Sequence, residues 1–228
     1  MEITRESIVA AASRISGHIR STPVLALDSR SHSFPGRLVL KLEHLQVAGS
    51  FKARGAFNLL ISRAPSSVVA ASGGNFGFAL GHAARELEIE ADIFVPRTSP
   101  EEKITAVRST GSNVHVIPGF YDDALAASQE HARRTGAEFA HAFDLPEVVA
   151  GAGTCALEIA TQVPEVDTLL VAVGGGGLIA GVASWFRDRA RVVGVGTTGT
   201  PTLHAARSAG EPVQVEVSGI AVSALGAA

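Results

Sequence analysis

The run TLLVAVGGGGLIAGVASWF, Thr168 to Phe186, is uncharged and nearly as long as the roughly 20 apolar residues that cross a bilayer. Its middle decides how it folds. Each of the four consecutive glycines, Gly174–Gly177, would cost a helix about 1 kcal/mol relative to alanine, so a continuous membrane helix is excluded. The stretch reads instead as a buried strand, a glycine loop and a helix. A unit of this kind belongs in a parallel sheet with helices packed on it.

The rest of the chain repeats that pattern. β-Branched strand candidates (RLVLKLE, SVVAAS, ADIFVP, NVHVIP, EFAHAF, RVVGVG) alternate with alanine-rich amphipathic helical runs. Thr4 is placed to cap a first helix reaching about Ile19, and Ser50 to cap one through FKARGAFNLLIS. In SPEEKITAVRSTG, Ser99 is the expected N-cap, with Pro100 at the first helical position, Glu102 completing a capping box and Gly111 as terminator. Further helices are expected in FGFALGHAARELEI, in YDDALAASQEHARRTG, around Gly153–Val163, in LIAGVASWFRDRA and near PTLHAARSAG. No linker or internal repeat divides the chain.

Composition narrows the function. At 228 residues and 46% hydrophobic, the chain can bury a substantial core. A net charge of −3 with no basic tail argues against nucleic acid. The lone cysteine, Cys155, suits a reducing cytoplasm, and the N-terminus has no signal-peptide pattern. Cys155 reads as a core thiol, Trp185 and Phe186 as core, and the eight histidines lack metal-ligand spacing.

Three short stretches carry chemistry. In VGGGGLIAG, a glycine loop entering a helix offers free N–H groups and a positive helix end, which suit a phosphate. Gly175, Gly177 and Ala180 also fit G-x-G-x-x-A. The acid that a dinucleotide site needs about 20 residues on is missing from VVGVGTTGT, and no Walker lysine is present. In ASGGNFG, Ser72 and Asn75 flank two glycines at a second strand–helix junction, a setting for a carboxylate or for a plain helix cap. In GSFKARGA, Lys52 is one of three lysines and has no acidic neighbour. By itself it reads as a solvated lysine. Beside an anion nest and a phosphate loop it suits an amine that bonds a phosphate-bearing aldehyde.

In this order and spacing, SFKARGA, SGGN and VGGGGLIAG resemble the pyridoxal-phosphate enzymes of the threonine dehydratase and serine racemase family, fold type II. STPVL, KLEHLQVAGSFK, FVP and SGIAV agree in lesser ways. The resemblance implies an α/β fold of two lobes, each a mostly parallel sheet flanked by helices. Residues 41–143 would form the small lobe, and 1–40 with 144–228 a large lobe incomplete at its C-terminal end relative to the family. It implies pyridoxal 5'-phosphate bonded to Lys52, with Phe51 against the ring and Asn75 on its phenolic oxygen. Gly174, Gly175, Gly176, Gly177 and Leu178 would cradle the phosphate, and Ser72, Gly73, Gly74 and Asn75 would hold the substrate carboxylate. The reaction implied is elimination from L-threonine or L-serine to a 2-oxo acid and ammonia, in a cytoplasmic homodimer.

The departures are specific. Racemising relatives carry a second serine at the position of Gly73, so elimination is expected in preference to racemisation. Phe76 replaces the family's histidine, and Gly196 replaces an acid that holds a divalent cation in some relatives, so no metal site is expected. The contrasting expectations are a catalytically idle binding or regulatory protein of this fold, or a related dehydratase or racemase acting on another β-hydroxy amino acid.

Overall fold

The computed structural model describes residues 2–226; Met1, Ala227 and Ala228, at the ends of the expected large lobe, lie outside the described residues. Helix α1 (Arg5–Arg14) is capped by Thr4, whose hydroxyl accepts from the Ser7 N–H; it ends five residues before Ile19. Strands β1 (Val24–Ala26) and β2 (Val39–Lys41) form an antiparallel pair.

A four-stranded parallel sheet follows, in the order β5–β4–β3–β6. Its strands are β3 (Ser67–Ala71), β4 (Glu90–Pro96), β5 (Asn113–Ile117) and the short β6 (Glu138–Phe139). The helices interleaved with them are α2 (Lys52–Arg63), α3 (Asn75–Glu86), α4 (Glu101–Arg108) and α5 (Tyr121–Thr135). Buried Phe76, Ala79, Leu80, Ala83 and Ala84 give α3 its apolar stripe, which packs with Phe57, Leu60, Val68 and Ile93 in the largest core. After α6 (Pro146–Gln162), a second parallel pair, β7 (Thr168–Ala172) and β8 (Arg191–Val195), flanks α7 (Gly177–Phe186). Helices α8 (Thr202–Ala209) and α9 (Val222–Leu225) end the described chain.

The chain at Thr168–Phe186 is therefore strand, loop and helix, and no helix among the described residues is long and apolar enough to cross a membrane. Two expected caps fail. Phe51 and Pro100, not Ser50 and Ser99, hold the N-cap positions of α2 and α4, and neither helix has a side-chain cap bond. The expected strand EFAHAF stops at Phe139, and α6 begins seven residues before Gly153.

Helix α6 holds the parts together. It is buried from Val148 to Ala156 and lies between α2 and α7. A Cβ on Gly151 would stand 2.8 Å from Gly55 Cα of α2, and one on Gly153 would stand 3.3 Å from Gly181 Cα of α7. Backbone thus lies against backbone on both sides of α6. This fixes the start of α2, where Lys52 sits, relative to the start of α7, where the four glycines sit.

Candidate active site

Lys52 opens α2 with its amine turned inward. Nζ donates to the carbonyl of Ala142 at 2.9 Å and lies 5.1, 5.8 and 5.9 Å from the ring centres of Phe51, Phe76 and Phe143. Three aromatic rings and one carbonyl are a poor exchange for water, so burial pushes the amine down to about 8. Neighbouring arginine charge is not the cause. Arg54 is fully buried and hydrogen-bonded to both Glu43 and Glu158, and Arg63 pairs with Glu138 and Glu147.

The segment facing Lys52 is the one expected to continue a strand. His141 Nδ1 accepts the Asp144 N–H at 3.1 Å, which closes a turn and points the Ala142 carbonyl at the amine. That bond places the proton of the neutral ring on Nε2. Burial holds the half-buried His141 imidazole below its ordinary range; the Asp144 charge opposes this and the Lys52 charge adds to it. The Phe143 ring packs edge-on to His141, with centroids 4.6 Å apart.

Phe143 links Lys52 to the glycine loop. A Cβ on Gly175 would collide with its ring, and one on Gly177 would come within 3.0 Å of its Cβ. On the other side, a Cβ on Gly174 would stand 3.1 Å from Leu225 Cα. Gly176 holds φ at 88°, a conformation that L-residues rarely adopt, and serves as the N-cap of α7 without any side-chain cap bond. The leading end of a ten-residue helix therefore keeps its amide groups uncapped by any side chain. Leu178 packs into the core beneath α7, so only its backbone can face an anion.

The other junction closes on itself. Ser72 Oγ accepts the N–H of Gly74 at 3.3 Å and of Gly77 at 3.0 Å. The hydroxyl caps α3 and retains its O–H to donate. Asn75, the first residue of α3, is exposed, and Phe76 behind it is 2% exposed with its ring toward Lys52. Gly73 and Gly74 are half-buried.

A phosphate-bearing aldehyde fits these residues. The amine is desolvated, the glycine loop is bare at a helix N-terminus, and the Ser50 hydroxyl, two residues before Lys52, is buried without a hydrogen-bond partner. A buried unsatisfied hydroxyl costs about 1–3 kcal/mol, a cost that a bound polar group would remove. Reading the sequence missed Ser50, His141, Ala142 and Phe143. In HAF, period-two apolarity imitates a strand, and a carbonyl acceptor leaves no mark in any side chain. Cys155 is buried, and its thiol is pushed up to about 12, as befits an inert core residue.

The family model described as pyridoxal-phosphate-dependent enzyme matches residues 15–228. An L-threonine ammonia-lyase of Thermotoga maritima is 37% identical over 221 residues, covering 94% of this chain and 55% of that protein. One from Geobacter sulfurreducens is 36% identical over 222 residues, covering 92% and 54%. The chain thus spans about half the length of these two relatives. The structure of maize serine racemase superposes with a TM-score of 0.92 at 29% identity, covering 99% of this chain and 70% of that one. With a lysine in an aromatic pocket, a bare glycine loop beside it and a family match over nearly its whole length, this chain belongs to the pyridoxal-phosphate-dependent enzymes.

Proposed function

We propose that the protein eliminates water and ammonia from a β-hydroxy amino acid, L-threonine or L-serine, to give a 2-oxo acid. The observation that carries this is the Lys52 amine, desolvated by three rings beside a glycine loop. Lowering its pKa from 10.5 to about 8 raises the neutral fraction at pH 7.5 from about one in a thousand to about one in four. Neutral amine is what both bond formation to an aldehyde and removal of a Cα proton require. The cofactor, once bound, supplies the conjugated ring that spreads the negative charge left at Cα.

Every other role falls to the chain. Lys52 anchors the cofactor, and Phe51 packs on its ring. Asn75, exposed at the start of α3, is free to turn to the phenolic oxygen. The amides of Gly174–Gly177 and Leu178 hold the phosphate at the positive end of α7. The Ser72 hydroxyl donates to the substrate carboxylate, with the Gly73–Asn75 backbone around it. The Ala142 carbonyl holds the Lys52 amine whenever that amine is not bonded to the cofactor. Phe51, Phe76 and Phe143 keep water from the amine, which protects its neutral form. The reading takes residues 41–143 as a small lobe over a cleft shared with the remainder. It also takes the molecule as a cytoplasmic homodimer.

The relatives named L-threonine ammonia-lyase favour elimination. The test is uptake of pyridoxal phosphate by the full-length protein, seen as a near-visible absorbance band, with ammonia and 2-oxo acid released from threonine or serine. Lys52→Ala is expected to abolish both. A wild-type protein that stays colourless in excess cofactor would sink the reading.

A further inference from the structure

Ser99 is free of the capping role its sequence position suggests. Pro100 holds the N-cap position of α4, and the leading amides of Lys103 and Ile104 go to the Pro100 carbonyl. The Ser99 N–H bonds back to the Pro96 carbonyl at 2.9 Å, and the Arg97 N–H reaches Ile117 O at 2.9 Å, so the loop is tied to the ends of β4 and β5. The hydroxyl, half-buried, is turned sideways to the loop after β3. A Cβ on Gly73 would collide with Ser99 Oγ, lie 2.8 Å from Val95 Cγ1 and 3.0 Å from Ser99 Cβ.

The Ser72–Asn75 loop is short of side-chain donors. Both acceptor positions of the Ser72 hydroxyl are taken by the Gly74 and Gly77 amides, leaving one O–H to give. Gly73 and Gly74 have no side chain. A carboxylate offers about four lone-pair sites, more than one hydroxyl fills, so backbone amides or a further side-chain donor must meet the rest. Ser99 brings a second hydroxyl to the same loop from a different strand–helix connection.

We propose that Ser99 is a substrate-contacting residue, its hydroxyl donating to the carboxylate of the amino acid in the volume that a serine side chain at position 73 would fill. This rests on the functional reading above and deepens it. The glycine at 73 and the serine at 99 are one device. The hydroxyl comes from 99, and 73 must be glycine to make room for it.

The test uses two probes on the full-length, cofactor-loaded protein, each followed by the change in cofactor absorbance on binding. L-Alanine has the carboxylate and no leaving group; L-alaninol has the amine but a hydroxymethyl in place of the carboxylate. Ser99→Ala is expected to weaken L-alanine about tenfold or more, as loss of a hydrogen bond to a charged group should, and to leave L-alaninol unchanged. With threonine, KM rises and kcat changes little. Equal effects on the two probes, or none on either, would overturn the proposal.

A second arm reads the shared volume without turnover. Gly73→Ser is expected to lower the melting temperature of the cofactor-free protein, and Ser99→Gly in the same chain to restore it together with wild-type affinity for L-alanine. A double variant that melts like Gly73→Ser, or that binds L-alanine as poorly as Ser99→Ala, contradicts the proposal. Failure of the functional reading looks different, because no cofactor band then forms in any of these proteins.

Discussion

The two strand-to-helix junctions of this chain are both built on glycine, yet they are closed by different means. At β3–α3 a side chain does the closing, since the Ser72 hydroxyl accepts two of the amides that the start of α3 leaves unpaired. At β7–α7 no side chain caps the helix, and the loop is shaped from outside by Phe143 and Leu225 pressing on its Cα atoms. A hydroxyl that satisfies amides leaves less for a ligand, whereas packing against Cα hydrogens leaves the amides free. On the proposed function, the doubly charged group of the cofactor is therefore assigned to β7–α7. The weaker, exchangeable carboxylate of a substrate is assigned to β3–α3, where an O–H remains to be donated.

The sharpest way to break this comparison is to add one methyl to each junction. A Cβ on Gly77 would collide with the carbonyl oxygen of Ser72, which is backbone at the end of a buried strand and cannot move aside. A Cβ on Gly175 would collide with the ring of Phe143, which can rotate. Gly77→Ala should therefore cost stability at the upper end of about 1–3 kcal/mol, and Gly175→Ala distinctly less. Gly175→Ala should nevertheless lose most of its affinity for the cofactor, because the displaced ring lies between the loop and Lys52. Urea melts and cofactor titration of both variants check this. If Gly175→Ala proves the less stable and still takes up cofactor normally, the glycine run is there for packing and the phosphate assignment is wrong.

How much of this was legible beforehand depends on the range over which each signal acts. ADIFVP and TLLVAV read as strands because their β-branched runs are local signals, and SGGN and GGGG read as junctions because glycine pairs and runs interrupt both strand and helix. Ser50 and Ser99 were misread because a serine before a helix marks a cap only when its hydroxyl faces the helix. Here one is buried without a partner and the other faces Gly73. The apolar alternation of EFAHAF was real, but past Ala140, whose N–H still bonds to the Val69 carbonyl of β3, it lines the loop around Lys52 rather than a sheet. The partners of Arg54 lie 11 and 104 residues away. No local pattern could say that this arginine is neutralised, or that burial alone sets the Lys52 amine.

A smaller effect is expected from Ser72→Ala. It removes the cap from α3, which typically costs about 1 kcal/mol, and withdraws the O–H offered to a carboxylate. Ser72→Thr should keep both functions. The comparison predicts a split: Ser72→Ala raises KM for the amino acid and leaves cofactor affinity near wild type, since the phosphate is proposed to sit at the other junction. Parallel measurement of the two constants decides it, and a large loss of cofactor affinity would mean that the junctions are not divided in this way.

The smallest effect asks which junction does more to desolvate Lys52, which has Phe76 of α3 on one side and Phe143 beside the glycine loop on the other. Phe76 is 2% exposed and Phe143 is half-buried, so Phe76 excludes more water. In the cofactor-free protein, modification of Lys52 by an amine reagent should rise with pH through about 8 rather than 10.5. Phe76→Ser should move that midpoint upward by more than Phe143→Ser does. The same shift has a sign in stability. With the folded-state value below the unfolded one, the unfolded chain binds more protons between about pH 8 and 10.5, so this residue makes stability rise with pH across that window. Lys52→Met should flatten the rise. A midpoint near 10.5 in the wild type would show the amine to be solvated, and would remove the lysine from between the two junctions.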